Sequence, residues 1–126
     1  MDKESSAQTF QPERRLRQRA EFDRVFHRNV RSADRLFTVL ACPGAGAESR
    51  LGMAISIKST GGAITRNRVK RTIRESFRSH YLDLPEADFV VLSRPGVGKH
   101  SNESLRASLS GHWRRIAERC KKSYSV

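Results

Sequence analysis

Arg66-Asn67-Arg68-Val69-Lys70-Arg71-Thr72-Ile73-Arg74-Glu75-Ser76-Phe77-Arg78 holds six basic residues and one acid, with neither Gly nor Pro. Wound into a helix at about 100° per residue, Val69, Ile73 and Phe77 make one stripe, while Asn67, Arg71, Arg74 and Arg78 line the other side. The first face needs a core and the second an anion. Local helix energetics do not account for these cations. With Thr65 as N-cap, Arg66 and Arg68 fall in the first turn, where the macrodipole disfavours a cation by a few tenths to about 1 kcal/mol. Like charges also stack at i,i+4 (Arg66 with Lys70, Lys70 with Arg74, Arg74 with Arg78), and only Arg71 with Glu75 is an opposite pair. A phosphate backbone would relieve both strains. The plainer reading is a solvated charged face.

Working outward, the chain has 126 residues, one domain's worth, with a formal charge of +12. Its cations are nineteen Arg against six Lys, which favours the planar, bidentate, stacking side chain and makes nucleic acid the leading partner class. A basic membrane-surface protein is the competitor. No stretch approaches 18 apolar residues, and Met1-Asp2-Lys3-Glu4-Ser5-Ser6 lacks a signal-peptide core, so the expectation is a soluble, cytoplasmic protein without a membrane partner. Cys42 and Cys120 lie in no metal-ligand spacing and read as buried thiols; His27, His80, His100 and His112 read as exposed or satisfied surface residues.

Upstream, residues 1–9 are polar and expected to be disordered. Arg14, Arg15, Arg17 and Arg19 form a basic lead-in able to touch phosphates while loosely ordered. A short helix fits Ala20 to Arg28, with Phe22, Val25 and Phe26 at i, i+3, i+4. Its two phenylalanines share a face that is either core or a partly open surface on which an unstacked base can lie. Asp34 to Cys42 reads as a strand ending in the loop Pro43–Ala47. Leu51 to Lys58 alternates Leu51, Met53, Ile55 and Ile57 with Gly52, Ala54, Ser56 and Lys58, a second strand whose polar side could line a groove. Ser59-Thr60-Gly61-Gly62 breaks it before the basic helix, which should run to about His80.

Downstream, Phe89-Val90-Val91-Leu92 reads as a strand covered on both faces and central in the sheet. Arg94 to Lys99 has the wrong Gly spacing for a phosphate loop and reads as a plain connection. Ser101 caps a last helix whose face is Leu105, Leu109, His112, Trp113, Ile116 and Cys120. The elements sum to a two-layer α/β (α+β) sandwich, a single domain over residues 10–122 with a tail at 123–126. No cluster of carboxylates suited to metal-assisted phosphodiester cleavage is apparent.

Arg66-Asn67-Arg68-x-Lys70-Arg71, followed by Ile73, Arg74, Glu75 and Phe77, resembles the signature helix of the bacterial ribonuclease P protein component. The basic lead-in, Phe22-x-x-Val25-Phe26, Arg35-x-Phe37 and Gly52-Met53-Ala54-Ile55-Ser56 agree with the same family, so the resemblance spans roughly residues 10 to 120. It implies a mixed sheet of about four strands with three helices, in the order α-β-β-(β)-α-β-α, with a left-handed βαβ crossover as in ribosomal protein S5 domain 2. It also implies a subunit of the ribonucleoprotein that removes the 5′ leader of precursor tRNA, in which the RNA subunit and its Mg²⁺ ions carry out hydrolysis and no stable protein partner is required. On that resemblance Arg66, Asn67, Arg68, Lys70, Arg71 and Arg74 would hold ribonuclease P RNA, and Phe22, Phe26, Lys58, Arg17 and Ser56 would receive the leader. Two positions depart from the family: Ile57-Lys58 where many members carry Lys-Lys, and Leu40 where some carry an aromatic. The rival readings are a ribosomal or general RNA-binding protein with no catalytic RNA partner, and a nuclease in its own right.

Overall fold

The computed structural model describes residues 19–43 and 49–124. The element order is α1 (Arg19–His27), β1 (Val30–Ala33), β2 (Phe37–Pro43), β3 (Arg50–Ala54), α2 (Ile57–Thr60), α3 (Ala63–His80), β4 (Ala87–Ser93) and α4 (Asn102–Tyr124). One four-stranded mixed sheet runs β1-β2-β4-β3, antiparallel except for the parallel pair β3 and β4, which α3 connects. β4 is central, as its unbroken apolar run required, because it must be covered on both faces.

Alternation along β2 and β4 sorts side chains onto two faces. Phe37, Val39, Ala41, Phe89 and Val91 join Val69, Ile73 and Phe77 of α3 and Leu105, Leu109, Trp113, Ile116 and Cys120 of α4 in the main core. Phe77, Phe89 and Trp113 meet edge to face with centroids 5.7 to 5.8 Å apart, and the Trp113 indole donates to Ser76 Oγ at 2.8 Å. Leu40, Cys42 and Val90 point the other way and form a second, smaller cluster with Val25 and Phe22 of α1. The first helix therefore lies on the opposite face of the sheet from α3 and α4. Both cysteines are buried free thiols.

Four expected boundaries shift, three of them for a local reason. Val30–Ala33 is an extra edge strand, and Asp34 is a turn residue rather than a strand start: its Oδ1 accepts from the Leu36 and Phe37 amides at 2.9 and 3.0 Å. The alternation from Leu51 to Lys58 stops at Ala54 because Ser56 caps α2, its Oγ accepting from Ser59 N at 3.0 Å. Gly61, at φ 93°, closes that short helix in the left-handed conformation. α3 then begins at Ala63 with Gly62 as N-cap, so Thr65 is interior and Arg68 lies beyond the first turn. The last helix continues to Tyr124, past the boundary expected at 122. The basic lead-in residues Arg14, Arg15 and Arg17 and the loop residues Gly44–Ala47 lie outside the described residues.

His112, expected at the surface, is fully buried. Arg115 Nη2 lies 3.3 Å from His112 Nδ1 and can only donate, and Ser32 Oγ lies 2.7 Å from the same nitrogen. Nδ1 is thus the acceptor, which leaves the ring proton on Nε2, directed at Asp34 Oδ1 3.2 Å away but off the line of a good hydrogen bond. Ser32, His112 and Asp34 follow the order of a nucleophile–base–acid chain, yet Ser32 is 2% exposed and its hydroxyl accepts from Arg115 Nε at 3.0 Å. It ties β1 to α4 and cannot meet a substrate.

Burial lowers the His112 pKa against the pull of Asp34, with Arg115 and Arg119 adding to the lowering. For Asp34, burial works to raise the pKa, but the Ser108 hydroxyl, the Phe37 and Leu36 amides and His112 outweigh it and hold the carboxyl at about 2. Both shifts make acid destabilising. Below about pH 6.5 the unfolded chain protonates its His112 equivalent while the fold does not, and stability from Asp34 is lost as pH falls below about 4. Thermal melts should therefore show the melting temperature falling as pH drops from 7 to 5, and His112→Gln should flatten that fall; an unchanged slope would rule out His112 as its source.

Candidate nucleic-acid interface

A buried ionic clamp sets the position of α1. Asp88 of β4 is 1% exposed on the α1 side of the sheet, and a bare carboxylate there would be costly. Arg50 of β3 grips it bidentately, Nε on Oδ1 and Nη2 on Oδ2 at 2.9 Å each, and Arg24 of α1 donates to the same carboxylate. Arg50 also donates to Glu21 of α1 at 2.8 Å. The Asp88 hydrogen bond, opposed by desolvation and reinforced by Coulomb attraction and by Glu21, raises the Arg50 pKa. Two elements far apart in sequence are thus fastened to one central-strand carboxylate.

With α1 so placed, a groove of about 540 Å³ opens beside it over the sheet. Leu40 and Leu92 make its apolar lining, Phe26 and Pro95 border it, Arg31 and Arg94 supply cations, and Asn29, Thr38 and Ser93 supply polar groups. Phe26 is 44% exposed, whereas Phe22 is half-buried against the α1 cluster. The two phenylalanines therefore divide the alternatives, Phe22 packing and Phe26 offering an open ring. Leu40 stands in the groove, so at this position it presents an aliphatic surface where an aromatic would present a stacking plane. An apolar surface with cations at its border is what a single strand of nucleic acid needs.

Ser93 continues this groove toward α2, accepting from Ser56 N at 3.2 Å and sharing a 2.6 Å hydrogen bond with Ser59 Oγ. Ser56 and Lys58 are exposed here, on a helix cap and a short helix rather than at a strand end, and the departure Ile57 is 54% exposed. The connection after β4 is more than a plain loop. Arg94 and Pro95 border the groove, and Gly98 sits against α2 so tightly that a Cβ would fall 2.1 Å from Thr60 O. Arg68 of α3 then pins the same segment, donating to Gly98 O at 3.0 Å, His100 O at 3.3 Å and Asn102 Oδ1 at 2.6 Å. The segment physically joins the groove to the basic helix on the other side of the sheet.

On α3 the arginines prove unequal. Val69, Ile73 and Phe77 are fully buried, as the stripe required. Arg66 donates through Nε to Ile55 O and Arg68 is occupied as described, so both serve the fold at their guanidinium groups. Arg74 is half-buried and has a partner of its own. Asn67 and Arg71 are exposed. Desolvation, then Arg66 and Arg74, lower the Lys70 pKa, so the like-charge stack at i,i+4 is present and an anion would relieve it. Among the described residues, no three of His, Cys, Asp and Glu come together to hold a metal ion; this donor set does not fit Mg²⁺.

The sequence model of the family described as Ribonuclease P matches residues 10–117. The chain belongs to that family. The ribonuclease P protein component of Methylococcus capsulatus is 44% identical over 88% of this chain and 87% of its own length. That of Pseudoalteromonas translucida is 38% identical over 89% and 80%. The RNase P protein of Staphylococcus aureus superposes with a TM-score of 0.76 at 28% identity, covering 82% of this chain and 97% of that one. The Thermotoga maritima RNase P protein gives 0.71 at 30% identity, covering 81% and 96%. The fold class implied by the sequence resemblance is thus the fold of this ribonuclease P family member.

The unequal arginines lead to a prediction. Arg71→Ala should weaken RNA binding, reduce the log–log salt slope by about 1 and leave the melting temperature unchanged. Arg68→Ala should instead lower the melting temperature, because three acceptors on the 98–102 segment lose their donor. Salt titrations beside thermal melts separate the two; identical behaviour of both variants would contradict the division.

Proposed function

We propose that this chain is the protein subunit of ribonuclease P, binding the catalytic RNA and the 5′ leader of precursor tRNA so that the RNA cuts between leader and mature tRNA. The observation that carries the reading is one connected surface: the open groove at Phe26, the Arg94–Asn102 segment, and the Asn67, Lys70 and Arg71 edge of α3. Asn67, Lys70 and Arg71, flanked by Arg66 and Arg74, hold the RNA subunit through its phosphates. The groove takes the single-stranded leader, with one base on Phe26 and phosphates on Arg31, Arg94 and, past Ser56, Lys58; stacking suits a leader of any sequence. Arg17, outside the described residues, is proposed for the leader on the family resemblance alone. Phe22 supports the groove from beneath rather than stacking.

Hydrolysis is assigned to the RNA and to Mg²⁺ held by it; the buried Asp88 and the partly exposed Asp34 are both committed to hydrogen bonds and ion pairs within the fold. No helix among the described residues is long and apolar enough to cross a membrane, and action in the cytoplasm without a stable protein partner is part of the proposal.

Purified chain, a bacterial ribonuclease P RNA and precursor tRNA, mixed at low Mg²⁺, should give 5′-matured tRNA only when both macromolecules are present. Cleavage by the chain alone would establish a nuclease in its own right, and RNA binding without any enhancement of processing would favour a general RNA-binding protein. Phe26→Ala should weaken holoenzyme affinity for precursor tRNA by about 1–3 kcal/mol, the value of one stacked base, and leave affinity for mature tRNA unchanged. Equal losses for both would remove Phe26 from the leader site.

A further inference from the structure

On the face of the sheet opposite the Phe26 groove, two adjoining cavities occupy the furrow between α3 and α4. One, of about 310 Å³, is walled by Leu84, Trp113 and Ala117 with Arg114 beside them. The other, of about 300 Å³, is bordered by Arg78 and Arg106. His80 and Ser110 belong to both. His80 is held in place, its Nδ1 2.9 Å from Ser76 O and its Nε2 3.5 Å from Ser110 Oγ. A carbonyl can only accept, so Nδ1 carries the proton and Nε2 is turned to the serine hydroxyl.

The three arginines here differ from those that build the fold. Arg24, Arg50, Arg66, Arg68 and Arg115 donate to groups within the chain. Arg78, Arg106 and Arg114 make no side-chain hydrogen bond or ion pair with any described residue, even though Glu75 and Asp83 border the same cavities. A merely solvated helix back needs no apolar recess. Here a recess of the size that takes small ligands adjoins uncommitted planar cations suited to phosphate.

We infer that the α3–α4 furrow is a second RNA contact, which receives one unpaired nucleotide of the RNA subunit. Its base lies against Leu84, Trp113 and Ala117, and its flanking phosphates lie on Arg78, Arg106 and Arg114. RNA offers such groups where a loop or bulge splays a base out of its helix. The protein then holds the RNA subunit at two places, along the exposed edge of α3 and in the furrow behind it. The inference rests on the reading that ribonuclease P RNA is the partner.

The test measures binding of the full chain to ribonuclease P RNA across a salt series. Arg106→Ala with Arg114→Ala removes charge at exposed positions, while Ala117→Leu fills the recess without changing charge. Both proteins should bind about tenfold more weakly or worse with melting temperatures near the parent's, and the salt slope should fall by about 2 for the arginine pair only. Ala117→Val serves should the larger side chain lower the melting temperature. Arginine-dependent binding that is indifferent to Ala117 would mean diffuse electrostatics and overturn the nucleotide site. Unchanged binding in both, with Arg71→Ala still weakened, would overturn the furrow contact alone. If Arg71→Ala also binds normally, the RNA-subunit reading itself fails.

Discussion

A carboxylate in the central strand of a small sheet is the constraint on which the functional surface depends. Asp88 is buried where water cannot solvate it, so it demands charged donors from its neighbours. Arg50 reaches it from β3 and Arg24 from α1, and Glu21 closes the network back onto Arg50. The apolar contacts of Val25 and Phe22 with Leu40, Cys42 and Val90 set how close α1 lies. The directional ion pairs set where along the strands it sits. Because α1 covers only part of that face, Phe26 stays half-open beside Leu40 and Leu92 and a groove remains.

The opposite face of the sheet is covered by two helices. There α3 and α4 close over an aromatic centre, Phe77, Phe89 and Trp113, with Ser76 satisfying the indole. Rigid packing of this sort keeps an exposed edge in a fixed register with the groove on the other side. The 94–102 segment carries the coupling between the two faces, held by Arg68 on one side and by the close approach of Gly98 to Thr60 on the other. A side chain that looks like a ligand for an external anion is thereby a structural donor.

An arginine-rich composition conceals this division of labour. The same residue type clamps Asp88, caps carbonyls of a loop, orders a buried serine–histidine pair and stands uncommitted in the furrow. Net charge and spacing count all of these alike. That the chain's charge suits a polyanion could be read from the composition, but which guanidinium groups the fold already occupies could not. Val69, Ile73 and Phe77, the central place of β4, the buried face of α4 and the resemblance carried by Arg66 to Arg71 were all legible. Each rests on local periodicity or on residue identity at fixed spacing, and such signals survive without knowledge of the fold.

What escaped the sequence was decided either by short polar side chains or by long-range pairing. Asp34 and Ser56 bond to amides two or three residues ahead, and these turns overrode the apolar alternation around them. His112 follows the helical period of α4, yet only its approach to Ser32 and Asp34, some eighty positions earlier, makes burial tolerable. By itself, then, the sequence determined the long helices, the two inner strands and the family, because periodicity and residue identity at fixed spacing are properties of neighbours along the chain. Tertiary structure alone decided that α1 stands apart from the other helices, that Phe26 rather than Phe22 is open, and which arginines remain unspent. Those outcomes depend on contacts between residues tens of positions apart, and the energy of a buried charge is set by whatever partner the fold brings to it.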